Sequence, residues 1–220
     1  IISIILSSCN DWLDVNPRQE MKESKLYSTE EGFKDEMIGA YIQIASNQLY
    51  GKNTSMYLPE MLARHFAFPA EVASTDYALG KYNYEHTNVE SLLESIWKAY
   101  YSTIVNLNNA ITALDNYEVQ FNYNNDKLVR GEALGLRGFL HFEVLRYFCE
   151  VPSLASPSDK AIPYVTEMTK DANLLVSATW SEVIKHIEDD LNEAEKLLLE
   201  VDPILNYTYR VLNNPGVESL

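Results

Sequence analysis

The sequence predicts an all-α protein, a helical scaffold carrying long inserted loops. Three observations carry that expectation. Apolar residues recur at spacings of three and four in several separate stretches, the period of one helix face. Eight glycines and eight prolines in 220 residues are few, which argues against a loop-rich or all-β chain. The stretch 128–152, LVRGEALGLRGFLHFEVLRYFCEVP, carries one apolar stripe through Val129, Ala133, Leu136, Leu140, Val144 and Phe148. A second stripe, through Phe139, Phe142 and Leu145, widens that face, so this helix is expected to lie between others. Its charges, Arg130, Glu132, Arg137 and Arg146, need partners or water, and Pro152 stops it because the residue before a proline is pushed out of the α region.

Taken in order, the chain opens with IISIILSSCN, an apolar run that ends in small residues and a cysteine. The run is too short to cross a bilayer, which takes about 20 apolar residues. It reads as the end of a secretory signal peptide, residues 1–8. Leu6-Ser7-Ser8-Cys9 resembles the lipobox of bacterial lipoproteins, in which the peptide is cut before the cysteine and the cysteine is acylated. The polar, acidic Asn10, Asp11 and Asp14 follow at once, which favours this over the start of a buried helix. Cys9 is therefore the expected lipidation site, and residues 9–27 an extended tether without helical period. With Cys9 acylated, Cys149 has no partner for a disulfide and should be inert at an apolar helix end.

The helical domain is expected over 28–220. Ser28 or Thr29 caps a first helix whose Glu30 and Glu31 suit the positive end of its dipole. Phe33, Met37, Tyr41 and Ile44 form its buried face, and Tyr50-Gly51-Lys52-Asn53 breaks it. A shorter helix over 57–62 places Pro59 in its first turn, where a proline is tolerated. Residues 65–87 lose all period. A long aromatic-rich connection with hydrogen-bonding groups has the wrong composition for disorder and points to function. Residues 90–114 are helical again, with Trp97, Tyr101, Ile104, Asn108 and Ile111 on one face. A polar loop spans 116–126, the 128–152 helix follows, and VPSLASPSDKAIPYV makes a proline-punctuated connection. A last helix over 179–199 aligns Trp180, Ile184, Ile187, Leu191, Ala194 and Leu198.

Composition and spacing exclude several function classes. Seventeen basic against 32 acidic residues give a net charge of −15 with no basic cluster, so nucleic acid and anionic lipid surfaces are poor partners. The four histidines, His65, His86, His141 and His186, make no metal-site spacing, and no cofactor or metal is expected. His141 and Glu143, two positions apart on a helix, cannot converge on one ligand. His141 and His186 are expected at a helix surface or satisfied in a core, and the carboxylates Asp189-Asp190 and Glu193-Glu195 to be solvated. No nucleophile or phosphate-binding motif is present, and no enzymatic activity is expected.

GEALGLRGFLHFEVLRYFCEVP closely resembles the signature of the SusD-like (SusD/RagB) outer-membrane nutrient-binding lipoproteins, with Cys149 where that family usually has glycine. CNDWLDVNP after the signal peptide and AIPYV at 161–165 are similar to two further family segments. Trp97, Tyr101, Ile104 and Ile111 map onto Trp180, Ile184, Ile187 and Ala194 at a constant offset of 83 residues. This resembles tetratricopeptide repeats, whose period of about 34 residues would be stretched here by insertions. The resemblance thus implies a tetratricopeptide-repeat-like scaffold. Residues 90–114 would pair with 127–148, and the helix from Thr179 would open a second pair. Family chains continue well beyond this length, so the expectation is a truncated SusD-like fold.

The resemblance implies a cell-surface lipoprotein that binds nutrients, usually oligosaccharides, and delivers them to a TonB-dependent, SusC-like outer-membrane transporter. The competing class is a tetratricopeptide-like protein–protein adaptor with no glycan ligand. Family site residues do not carry over by position, so candidates come from the residues themselves. The aperiodic segment 74–87 concentrates Asp76, Tyr77, Tyr82, Asn83 and Tyr84, with His86 nearby. Aromatic faces stack on sugar C–H faces, and Asp and Asn serve sugar hydroxyls. In an extended conformation Tyr82 and Tyr84 would face one way and Asn83 the other, making a stacking platform. The alternative is that both rings pack down onto the helix carrying Trp97.

Overall fold

The computed structural model describes residues 23–66, 74–167 and 176–201. Within these the chain is built from helices, with one isolated antiparallel bridge between Lys160 and Thr179. The signal-peptide segment, Cys9 and most of the tether lie outside the described residues. The last tether residues are not extended: Glu23–Leu26 form a helical turn, α1, and Tyr27 is buried with its ring 4.9 Å from Phe33. A large aromatic held this way gains more from burial than an extended tether would retain.

Helix α2, Glu30–Ile44, starts where its cap predicts, with Thr29 Oγ1 accepting the Gly32 N–H at 3.3 Å. Phe33, Met37 and Ala40 are buried, but Tyr41 is exposed. The helix packs along a narrow side, and the small Ala40 rather than the large Tyr41 marks its line of contact. After a compact turn, a π-helical turn at Asn53–Tyr57 runs into α3, Leu58–Leu62, with Pro59 in the first turn as expected. A short helix that the sequence did not announce, α4 at Thr75–Gly80, is capped by Ser74, whose Oγ accepts the Tyr77 N–H at 3.1 Å.

Three long helices form the body: α5, Thr87–Asn116; α6, Asn125–Phe148; and α7, Trp180–Val201. Trp97 near the start of α5 meets Phe148 at the end of α6, edge to face at 5.0 Å. At the other end Arg130 bonds Asp115 at 2.5 Å, so the two helices run antiparallel. Helix α7 runs antiparallel to α6 on its other side, Ala194 lying against Gly135 and Asp190 against Gly138. The expected pairing of 90–114 with 127–148 is therefore observed as α5 against α6, and α6 lies between α5 and α7. Both α5 and α6 bury more than one stripe: Ile96, Tyr100, Thr103 and Leu107 add to the predicted face of α5.

In α6 the second stripe differs from expectation. Phe139 and Phe142 are exposed, whereas Arg137, His141 and Glu143 are buried. The polar side chains go inward because each finds a partner. Arg137 donates through Nε and NH2 to the two carboxylate oxygens of Asp190, both at 2.7 Å, and through NH1 to Asn108 Oδ1 at 2.9 Å. Glu143 takes a two-point bond from Arg146 at 2.8 and 2.6 Å. Asp190, expected on a solvated face with Asp189, is thus buried, and Leu191 beside it is exposed.

The segment 161–165 lies as a strap over this centre. Ile162 and Val165 are buried, Tyr101 Oη donates to the Pro163 carbonyl at 2.8 Å, and Tyr164 Oη donates to Asp190 at 2.5 Å. Asn108 donates to the Val165 carbonyl at 2.8 Å, while the Val165 N–H donates to His141 Nε2 at 3.0 Å. That acceptor role fixes the neutral Nδ1–H tautomer, which donates to the Arg137 carbonyl at 2.9 Å. Burial holds the His141 imidazole down at a pKa of about 4, with the neighbouring Arg137 charge adding to the effect. His141 is a satisfied core histidine, and His186 lies at the surface, stacked 5.0 Å from Tyr164.

Candidate functional site

Between the α2–π turn and the N-terminal half of α5 lies an open, polar groove of about 510 Å³. One wall is the turn after α2, which supplies Asn47, Gln48, Lys52 and Asn53. That turn is closed by backbone bonds: Gly51 N–H to the Ser46 carbonyl at 2.9 Å and Asn53 N–H to the Asn47 carbonyl at 3.1 Å. Position 51 needs glycine, because a β-carbon there would sit 2.4 Å from the Ala45 carbonyl oxygen. The opposite wall is α5, where Asn88, Ser91 and Ser95 stand at helical spacing around Leu92. Tyr57, from the π turn, and Thr75, from the start of α4, close one side. Single π-helical turns are frequent at functional sites.

None of the predicted residues lines this groove, and they do not form the extended platform. Asp76 accepts a hydrogen bond from Tyr57 Oη at 2.5 Å, which ties α4 to the groove wall. Burial and the Asp76 charge push the Tyr57 phenol well above its ordinary range, so it stays a donor. Tyr77 is half-buried, with the Lys81 ammonium 5.6 Å from its ring centre. Residues 81–86 form turns: Tyr82 has φ 55°, and the Asn83 and Tyr84 N–H groups donate to the Ala78 and Tyr82 carbonyls at 2.9 and 3.1 Å. A left-handed residue at 82 removes the alternation that would have set Tyr82 and Tyr84 on one side. The packed-down alternative also fails, since both rings are 48% exposed and Trp97 packs against Tyr101 and Phe148 instead. Tyr82 Oη reaches across to the Leu62 carbonyl at 3.0 Å, joining this turn to the end of α3. His86 caps α5, its Nδ1 accepting the Asn88 N–H at 3.3 Å.

The groove residues Asn47, Gln48, Asn53, Asn88, Ser91 and Ser95 were missed. One signal was present: Asn88, Ser91 and Ser95 form a polar stripe beside the apolar stripes of α5. Chemically, the groove offers four amides and three hydroxyls besides the Tyr57 phenol, each amide both donor and acceptor, with one cation and no carboxylate in its lining. Such a lining matches a polyhydroxylated ligand. A smaller concavity of about 370 Å³ is lined by the half-buried Trp97 and Tyr101 on another part of α5. Among the described residues no group of three histidine, cysteine or acidic side chains could hold a metal ion.

A SusD-like family model, described as starch-binding associating with outer membrane, matches residues 11–209. No curated protein and no solved structure matches the chain.

Proposed function

The chain belongs to the SusD-like family of outer-membrane-associated nutrient-binding proteins, and from that membership we propose that it captures oligosaccharides at the cell surface for a TonB-dependent, SusC-like transporter. The single observation that carries the reading is the match over 11–209, nearly the whole chain. The groove supports it. Sugar hydroxyls exchange their water bonds for amide and hydroxyl partners without burying a charge, and exposed tyrosines such as Tyr82 and Tyr84 offer faces for sugar rings. The ligand set we assign is Asn53, Asn88 and Ser91 in the groove, with Tyr77 on the adjoining α4 and Tyr82 and Tyr84 on the turn after it. Asp76 acts by holding Tyr57, and Asn83 by shaping the turn. Lipidation at Cys9 would hold the protein on the outer membrane facing outward. No chemistry is required of the site, since capture and release suffice.

Calorimetry on the full chain with a panel of oligosaccharides tests this. Asn53→Ala, Ser91→Ala and Tyr82→Ala should each weaken binding about three- to tenfold, the worth of one hydrogen bond or one stacked ring, with the melting temperature unchanged. Intact affinity in all three variants would move the ligand elsewhere on the molecule. A lower melting temperature with intact affinity would make the residues structural.

A further inference from the structure

Most cations of the described residues are neutralised by a carboxylate. Arg130 pairs with Asp115, Arg137 with Asp190 and Arg146 with Glu143, and five lysines pair with nearby glutamates or aspartates. Three depart from this together. Lys52, Arg64 and Lys81 have no carboxylate partner among the described residues, and each stands over a tyrosine ring. Lys52 is 4.9 Å from the ring centre of Tyr57, Arg64 5.9 Å from that of Tyr82, and Lys81 5.6 Å from that of Tyr77. Among the described residues Lys25 and Lys160 also have no ion pair, but neither stands over an aromatic ring there.

The three pairs lie on neighbouring elements that are bonded to one another. The π turn runs directly into α3, Tyr57 bonds Asp76 of α4, and Tyr82 bonds the end of α3. Lys52 itself lines the polar groove. Two of the carboxylates on these elements are engaged by non-ammonium groups: Glu60 by His65 at 2.7 Å and Asp76 by Tyr57 at 2.5 Å. Glu85 lies in the turn after Tyr84. A chain of net charge −15 repels anions at long range, but salt screens that field over about 8 Å, so local charges decide what binds. A cation set against an aromatic ring keeps its charge while its position is fixed. The pair presents an apolar face beside a positive charge. A pyranose ring bearing an acidic substituent has the complementary pair, an apolar C–H face beside an anion.

We propose that this region selects an anionic oligosaccharide, one carrying carboxylate or sulfate groups along its chain, with Lys52, Arg64 and Lys81 as the recognising cations. The inference rests on the reading of this region as a glycan site and adds to it the class of glycan.

The full chain is titrated calorimetrically with oligogalacturonate, chondroitin sulfate oligomers and neutral maltooligosaccharides, each at low and high salt. At least one acidic ligand should bind about tenfold or more tighter than the neutral one, as charge-assisted hydrogen bonds exceed neutral ones. That advantage should shrink at high salt, and the joint variant K52Q/R64Q/K81Q should abolish it. Oligogalacturonate carries carboxylates alone and chondroitin sulfate both carboxylates and sulfates, so tight binding of the first shows that carboxylates suffice and binding of the second alone shows that sulfate is needed. Equal or tighter binding of maltooligosaccharides, or acidic binding that salt leaves unchanged, overturns the inference while the glycan reading stands. Should the joint variant fail to fold, the salt dependence of the unmodified chain decides alone. Binding of none of the three ligands overturns the glycan reading, and this inference with it.

Discussion

Three hydrogen bonds converge on the Asp190 carboxylate: two from Arg137 at 2.7 Å and one from Tyr164 at 2.5 Å. Taking a carboxylate and a guanidinium out of water is costly, and the two-point geometry with its further donors offsets that cost. Removing one partner leaves the other charged and buried, so Asp190→Ala should destabilise the protein by about 3–5 kcal/mol. Asp189, one residue away, pairs with Lys185 in solvent, and Asp189→Ala should stay within about 0.5 kcal/mol. Urea denaturation midpoints of the two variants check this, and similar shifts would refute the buried network. The helical period of α7 was legible from its sequence, and Ile187 and Ala194 of the predicted face are buried, but Val183, Asp190 and Leu197 are buried beside them rather than Ile184, Leu191 and Leu198. What the sequence could not show is that position 190 belongs inside and Leu191 outside. That choice depends on Arg137, 53 residues away, and on Asn108, which holds the third arm of the guanidinium.

At the scale of elements, α6 and α7 approach closely because α6 turns three glycines toward its neighbour. An added β-carbon at Gly135 would meet Ala194 at 3.4 Å, an ordinary contact. At Gly138 it would meet the Ile187 carbonyl oxygen, Asp190 Cβ and Leu191 Cγ, all at 3.3 Å. Glycine inside a helix costs about 0.5–1 kcal/mol relative to alanine. Gly135→Ala should therefore stabilise by about that amount, and so should Gly39→Ala in α2, where nothing lies within 4 Å. Gly138→Ala should destabilise by about 1–3 kcal/mol, the range for overpacking, because a backbone carbonyl and the anchored Asp190 cannot give way. Thermal melts of the three variants decide, and a stabilised Gly138→Ala would show that the seam is looser than the distances imply. The helices themselves were legible, because long periodic stretches such as 90–114 and 179–199 carry their own evidence. Short α4 and the π turn were not: each depends on local bonds, the Ser74 cap and the closed turn around Gly51, that leave no apolar period. The left-handed Tyr82 likewise undid the extended reading of 82–84, since a positive φ at a non-glycine residue has no sequence mark.

At the scale of the whole molecule, the groove is gathered from separate stretches, 47–57, Thr75 and 88–95, whereas the sequence could name only the one contiguous aromatic segment, 74–87. The remaining question at this scale is what holds such a site at a membrane. The family associates with the outer membrane, and no helix among the described residues is long and apolar enough to cross one. A charge of −15 gives no electrostatic attraction to anionic lipid. We propose that acylation at Cys9 of the Leu6-Ser7-Ser8-Cys9 motif supplies the force: each buried methylene of an acyl chain contributes about 0.8 kcal/mol, and two or more chains give stable anchoring where one gives only reversible binding. Cys9→Ser should then shift the protein from the membrane to the soluble fraction of the cell, and the acyl mass carried by the N-terminal peptide should disappear. The variant's melting temperature should not change, because the anchor precedes the folded helices. Expression in a lipoprotein-processing host, fractionation and mass spectrometry of that peptide measure all three. Membrane association that survives Cys9→Ser, with no acyl mass on the unmodified peptide, would mean that a protein partner and not lipid holds the molecule in place.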